Sequence, residues 1–523
     1  MDSPASSPEK TVTSKEWLAL FGVMLGAFMA VLDIQITNSS LKDISGALGS
    51  SLDEGSWIST AYLVAEIITI GMSGIMATTF SIKRYLLFSA TGFLIFSVLC
   101  AFCGNLQELI LCRALQGLTG GALIPLAFNT TLVLLPKSKQ SIGLALFGMT
   151  ATFGPSIGPS LGGWLTDNYG WQWIFFINIP AGIALIAIVW TCMKPDPMRL
   201  HLIREMDYFG IITMAIGLGS LEYVLEEGER KDWFGNVYIF RFAWIAGIFL
   251  LLFFIREFTA KKPFINLRLF RYRSFTIAST VMTALGLGLY GTVFIVPEYL
   301  SSVQQYSAGQ IGQTLIWVGI PQLFILPFVP MLIKIFDIRL VIAVGAFFFS
   351  LSCFMNAFLD PDYAGPQFIV SNIVRALGQP LMLVPLLSLA TADIPTKESN
   401  SASALFNMMR NLGGSVGIAL LSTLVTNREH LHSVRIGSTV TAESPQVAAR
   451  LGHLTDVLLM KGLDPVTAGR TALKILNNSM TEQSFLLAYG DAFYVIGAVM
   501  GASAFLLFFV HKPRQLQKAA AEG

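Results

Sequence analysis

Along nearly all of its 523 residues this sequence repeats one pattern, an apolar run of about twenty residues carrying almost no charge. A run of that length reads as a membrane-spanning helix, because in hydrocarbon the backbone has no water to bond and must satisfy its N–H and C=O groups internally. Fourteen spans are expected, near residues 17–38, 57–79, 85–104, 109–134, 141–164, 172–192, 207–226, 237–256, 274–297, 311–333, 338–357, 366–391, 401–426 and 485–510. The composition, 54% hydrophobic and 13% charged, agrees, and the chain reads as an all-α polytopic membrane protein. Cys100, Cys103, Cys112, Cys192 and Cys353 all fall in apolar runs and are expected as buried, inert thiols, with no disulfide or metal cluster.

Charge placement sets the expected orientation. Lys83, Arg84, Lys137, Lys139, Arg199, Lys261, Lys262, Arg268, Arg271, Arg273, Lys334 and Arg339 fall in alternate loops. The short loops of the other side hold only Lys42, Arg230 and Lys231, with Arg241 near a span end. Basic residues are retained on the cytoplasmic side, so both termini are expected there. Residues 1–16 and 511–523 read as polar tails, the first disordered and without the apolar core of a cleavable signal. One external connection, 427–484, is long. Its Val447, Leu451, Leu454, Leu458 and Leu459 recur at helical spacing, which predicts one or two amphipathic helices.

The span ALFGMTATFGPSIGPSLGGW, Ala145 to Trp164, carries Gly148, Gly154, Gly158, Gly162 and Gly163 with Pro155 and Pro159 between them. Glycines four apart open a flat face for a neighbouring helix, and each proline removes a backbone donor, so a close and bendable contact is expected. Ala404-Leu405-Phe406, Met408, Gly413, Ser415 and Gly417 repeat Ala145-Leu146-Phe147, Met149, Gly154, Ser156 and Gly158 at the same spacing. Arg113-Ala114-Leu115 reappears likewise as Arg375-Ala376-Leu377. Two motifs repeated in one order argue for two related halves, 17–192 and 274–510, with 207–256 as an inserted pair of helices.

These residues, taken with others, resemble the fourteen-span drug:proton antiporters of the major facilitator superfamily, the EmrB-type exporters. Leu32-Asp33 followed by Asn38, Arg113-Ala-Leu-Gln116-Gly117 with Gly120, Gly154-Pro155 with Gly158, Gly162 and Gly163, Trp171-Gln-Trp173 through Asn178 and Pro180, and Asp232-Trp233-Phe234 all follow that family's patterns. The resemblance implies the major facilitator fold, two six-helix bundles plus two inserted helices. It implies a conformational role for Gly154, Pro155, Gly158, Pro159, Gly162 and Gly163, and sets Asn38 and Gln116 at the substrate surface. It also implies exchange of protons for hydrophobic compounds across a bacterial inner membrane, with a periplasmic adaptor docking on 427–484 and an outer-membrane channel beyond. No cofactor other than the proton gradient and no nucleic-acid partner are expected. Two departures stand out: the loop after Gly74 lacks the acidic member of the family's interdomain charge clasp, and Lys42 replaces a proline.

A charge in hydrocarbon is costly, so each ionisable residue within a span is a functional candidate. His201, His430, His432, His453 and His511 lie in loops or at a helix end, which leaves Asp33, Glu66 and Glu222 as proton carriers. At a rise of about 1.5 Å per residue, Asp33 and Arg113 reach the same outer level and suit an ion pair, working or static, while Glu66 falls near the midplane. Glu66 is read as a proton carrier or as a permanently protonated hydrogen-bonding group. Glu222 is expected near enough to the outer surface to be hydrated. Arg375 and Arg410, with Asn407, give the second half a basic, polar wall suited to acidic or electronegative compounds, unless helix carboxyl ends neutralise them. A dedicated exporter of one metabolite, fatty acid or siderophore is the alternative function. A polytopic membrane transferase is a distant one, because no HxxxD, HExxH or Walker-type pattern is found.

Overall fold

The computed structural model describes residues 12–260, 263, 265–395, 398–441 and 444–509. The residue 1–11 part of the first tail, Lys261, Lys262, and the tail from 511 with His511 lie outside the described residues. The first half comprises α1 (Ser14–Ser39), α2 (Trp57–Phe80), α3 (Ile82–Phe102), α4 (Leu106–Leu134, interrupted at 121–122), α5 (Lys137–Tyr169) and α6 (Trp173–Cys192). The inserted pair follows as α7 (Tyr208–Glu227) and α8 (Val237–Thr259). The second half is α9 (Arg273–Ser302), α10 (Gly309–Ile335), α11 (Ile338–Met355), α12 (Gly365–Thr391), α13 (Ser399–Thr439), α14 (Pro445–Met460) and α15 (Pro465–Phe505).

Local chemistry sets the helix ends. Thr13 caps α1 through a capping box in which its hydroxyl accepts from the Glu16 amide and the Glu16 carboxylate accepts from the Thr13 amide. Asn105 caps α4 and Asp207 caps α7 in the same side-chain-to-amide manner. Among the described residues thirteen helices are long and apolar enough to cross a membrane. The remaining expected span lies inside α5, whose glycines, prolines, serines and threonines dilute its apolar character. At 33 residues α5 is nonetheless long enough to cross, and it runs unbroken through Pro155 and Pro159.

The halves meet through backbones brought close by missing side chains. Within the first half α5 lies on α1, where a Cβ at Gly154 would sit 2.9 Å from Val31 and one at Gly158 would strike Gln35. The opposite flank of α5 faces α10 of the second half, where Gly319 closes on Phe153 and Ser156 and Gly312 on Ser160. The repeat reproduces this: α13 lies on α9, with Gly413 against the Thr283 backbone and Gly417 against Leu287, and its other side meets α2 of the first half. Helices in lipid gain little from apolar burial against one another, so this van der Waals closeness is what holds them together.

The inserted pair does not stand apart. α7 packs on α2 and on α13, so it touches both halves, whereas α8 is the least buried of the thirteen spans. The segment 427–484 is largely continuous with the spans on either side of it. α13 and α15, each 41 residues long, carry on past their spans, and only α14 is a free-standing helix, laid along α15. Asp491 of α15 ties the base of this projection by accepting from Arg428 Nε at 2.7 Å and meeting His432 Nε2 at 2.8 Å. Of the cysteines, Cys100 and Cys353 are buried as expected, while Cys103, Cys112 and Cys192 are partly exposed; all five are free.

Filling a close helix contact should destabilise the fold by the usual overpacking cost, about 1–3 kcal/mol. Gly158→Leu should therefore lower the thermal unfolding midpoint in detergent, while Gly247→Leu, whose Cβ meets nothing within 4 Å, should leave it unchanged or raise it slightly. Equal midpoints for the two variants would show that the α1–α5 contact is loose.

Candidate functional site

Asp33 is 1% exposed, in the distal third of α1, and every direction around its carboxylate is occupied. Arg113 Nη1 donates to Oδ2 at 2.5 Å, and Gln116 Nε2 and Asn178 Nδ2 donate to Oδ1 at 3.1 and 2.7 Å. Arg113, also 1% exposed, further donates to Gln116 Oε1 and the Ile58 carbonyl, and its guanidinium lies 4.3 Å from the centre of the Tyr62 ring. Asn178 also donates to Ser97. Such saturation is what a buried pair requires, since an ion pair out of water holds only when its remaining donors and acceptors are matched. The expected pairing of Asp33 with Arg113 is present, and Gln116, expected at a substrate surface, is consumed by it. Asn178 was not singled out as a site residue. Its signals are its place in the Trp171–Pro180 motif and an amide within an otherwise apolar run.

One turn beyond Tyr62 on α2, Glu66 is placed differently. It is 2% exposed and its Oε1 has no hydrogen-bond partner among the described residues. The Arg410 guanidinium on α13, in the other half, lies within electrostatic reach of it, though the two form no ion pair among the described residues. Arg410 itself makes no ion pair among the described residues and reaches only Asn411 Oδ1, at 3.4 Å. It lines a cavity of about 10 Å³ with Ala151 and Pro155 of α5 and Leu289, Tyr290 and Val293 of α9. That is room for about one water, so the midplane space between the halves is almost closed here. Tyr290 also lies within reach of the charges of Arg410, Glu66 and Glu222, and nothing in the sequence reading marked it.

Glu222 is a correction. It is buried rather than hydrated, accepts from Ser415 Oγ of α13 at 2.6 Å, and leaves Oε2 without a partner among the described residues. The reason is that α7 sits between α2 and α13, which cover this face of it. Asn38 does not join either cluster: exposed at the end of α1, its Oδ1 accepts from Ser59 Oγ. Asn407 is buried, but its amide bonds back to the Ser403 carbonyl of its own helix. Arg375 is buried with one donor on Asn372 Oδ1 and its Nε without an acceptor; no acidic partner is found among the described residues. The repeat thus copies the arginine of the first half but not its aspartate.

Both ends of the interface between halves are closed by neutral groups or by the inserted pair. On the face bearing the termini Asn400 Nδ2 donates to Thr78 Oγ1 at 2.7 Å, Ser403 Oγ donates to the Pro125 carbonyl, and Gly74 lets the Asn400 backbone approach. Lys83 of the acid-poor loop turns instead to the carbonyls of Trp190 and Met193 at the end of α6, where a cation suits the helix dipole. On the distal face Glu227, at the end of α7, accepts from Ser56 and Thr60 of the first half, while Trp233 Nε1 donates to Thr423 of the second.

Comparison with known proteins fits this arrangement. Residues 23–418 match the family described as Major Facilitator Superfamily. The Colistin resistance protein EmrB of Acinetobacter baumannii is 33% identical over 97% of this chain and 98% of its own. The Fatty acid resistance protein FarB of Neisseria gonorrhoeae is 30% identical over 95% and 96%. Among solved structures, the human organic anion transporter MFSD10 (TETRAN) aligns over 94% of this chain and 99% of its own, with a TM-score of 0.59 at 11% identity, which speaks to the fold alone.

Removing one charge of the buried pair leaves the other uncompensated, a loss of about 3–5 kcal/mol. Asp33→Asn should lower thermal stability in detergent accordingly, and adding Arg113→Gln should restore most of the loss. Additive losses in the double variant would mean that the two residues are not energetically coupled.

Proposed function

The chain belongs to the Major Facilitator Superfamily, as a multi-pass membrane transporter, and from that membership we propose that it exports hydrophobic compounds in exchange for protons. The observation that carries this reading is Glu66, a buried carboxylate with an unpartnered oxygen at the seam between halves, facing the Arg410 charge from the opposite side. Ionised, Glu66 attracts Arg410 and favours the closed form; protonated, it releases that attraction and the halves rock apart around the midplane. Asp33, by contrast, is enclosed by donors of its own half, so its pair with Arg113 acts as a fixed charge arrangement that keeps α1, α4 and α6 in register. Glu222 links the inserted pair to the same event, because its carboxylate accepts from Ser415 of the moving half. Gly154, Gly158 and Gly162 seat α5 on α1 of its own half, so α5 moves with the first half, and the sliding surface is its other flank, where Gly148 meets Leu326, Leu383 and Val384 and where Gly312 and Gly319 of α10 close on Ser160, Phe153 and Ser156.

In this reading the membrane is a bacterial inner membrane and the face bearing the termini is cytoplasmic, as the clustering of Lys and Arg there supports. The helical projection of α13, α14 and α15 then points into the periplasm and seats an adaptor protein leading to an outer-membrane channel. Exposed Val434, Met460, Val466 and Leu473 on that projection support a protein partner. A second reading, a carrier dedicated to one acidic amphipath, is favoured by Arg375 and Arg410, two buried guanidiniums without an acidic partner among the described residues. The fatty acid resistance relative agrees with it.

Purified protein in liposomes with an imposed pH gradient tests the main reading. Substrate-dependent proton release is expected for a panel of chemically unrelated hydrophobic drugs, and Glu66→Gln should abolish uphill exchange while making drug binding independent of pH. Pumping by the variant at the parental rate would remove Glu66 from the mechanism. Transport of a single fatty acid with indifference to every drug would favour the second reading.

The projection has its own test. Gly437 lies against Met480, so residues 438–479 can be exchanged for a short Gly-Ser linker with little disturbance, leaving the Asp491 ties in place. The shortened carrier should still exchange protons for drug in liposomes but should lose resistance in cells and co-purification of the adaptor. Intact co-purification would refute docking on this surface.

A further inference from the structure

We propose that the junction between the inserted pair and the second half is a seat for one anionic phospholipid, on the face that bears the termini. The chain passes from α8 to α9 through a short 3₁₀ turn, Leu267–Arg271. In a 3₁₀ helix residues three apart eclipse one another, so Arg268 and Arg271 stand on one side of this turn. Both are exposed, and among the described residues neither guanidinium has a hydrogen-bond or ion-pair partner. The neighbouring acids are already engaged. Asp207 accepts from Arg256 Nε at 2.6 Å, and Glu257 is buried and accepts from the Ile265 amide at 3.1 Å.

Beside the two guanidiniums opens a groove of about 500 Å³, lined by Phe254, Phe258, Leu267, Arg268, Phe270 and Arg271. That volume lies within the range of roughly 300–1,000 Å³ typical of small-molecule clefts. Phe254 and Phe258 are one helical turn apart, hence on the same face of α8, and are 45% and 67% exposed. Because α8 is the least buried span, this face looks onto hydrocarbon.

The groove therefore offers two planar cations at the membrane surface and an aromatic wall leading into the lipid. Inorganic anions have no use for the wall, and a neutral lipid has no use for the paired guanidiniums. A phosphodiester headgroup with net negative charge matches both: its oxygens accept from the guanidinium forks, and an acyl chain lies along Phe254 and Phe258. Such a lipid would brace the turn that joins the inserted pair to α9, and so couple the composition of the bilayer to the second half.

Native mass spectrometry of the full-length protein, titrated with phosphatidylglycerol or phosphatidylcholine, tests the seat. The parent should retain phosphatidylglycerol in preference to phosphatidylcholine. Arg268→Gln with Arg271→Gln should weaken that retention roughly thirtyfold, the loss expected for two basic residues at an anionic surface. Phe254→Ala with Phe258→Ala, which leaves the charges in place, should weaken it as well and serves should the arginine variant fail to fold. Equal retention by the parent and either folded variant, or no preference over phosphatidylcholine, overturns the proposal. Displacement of the lipid by excess inorganic phosphate also overturns it, since that would mark a free-anion site.

Discussion

A guanidinium and a carboxylate buried in hydrocarbon can stay charged only if each is matched atom by atom, and the Asp33–Arg113 pair meets that demand. Meeting it takes groups from three helices: the donors Arg113 and Gln116 from α4 and Asn178 from α6, with the Ile58 carbonyl of α2 accepting from Arg113 and the Tyr62 ring of α2 beneath the guanidinium. The first half is thereby locked about one point. Loosening any of these donors would expose a charge whose desolvation nothing else offsets. The second half repeats the arginine without the aspartate, so its Arg375 holds no comparable lock. The two halves share a fold and differ in electrostatic rigidity.

Closeness between the halves has a different origin. α5 and α13 each lie between their own half and the other, and at each crossing a glycine lets backbone or small side chains meet. Contacts of this kind are short-ranged and not directional. The polar groups added to them are mostly neutral: Thr78 with Asn400, Ser403 with the Pro125 carbonyl. The absence of the acidic clasp residue in the loop after Gly74 is thus met by hydrogen bonds that ionic strength does not screen. The ionisable side chains of the seam, Glu66, Glu222 and Arg410, lie buried between the halves, away from these neutral contacts.

The inserted pair takes on meaning in this light. α7 reaches the first half through Glu227 and the second through Glu222, while the turn before α8 sends Trp233 to Thr423. A helix bonded to both halves is a strap across them, and α8, largely exposed to lipid, gives that strap a face toward the bilayer.

Much of this was legible from the sequence, because the governing signals are local. Span length and the scarcity of charge dictate helices in hydrocarbon; glycine spacing marks where helices approach; the repeated Ala-Leu-Phe and Arg-Ala-Leu runs declare two halves. A depth estimate along two helices was enough to pair Asp33 with Arg113. What tertiary structure alone decided was which side of a helix each polar group finds covered. Depth counts residues along one axis and says nothing of rotation about it, so Glu222, apparently near water, is buried because α13 lies across it. By the same token Asn38 turns to Ser59, Gln116 is drawn into the ion pair, Asn178 of the Trp171–Pro180 motif becomes a ligand of Asp33, and Tyr290 enters a site that its own segment never advertised. The length of the projection was likewise invisible, since helical periodicity does not record where a helix leaves the membrane.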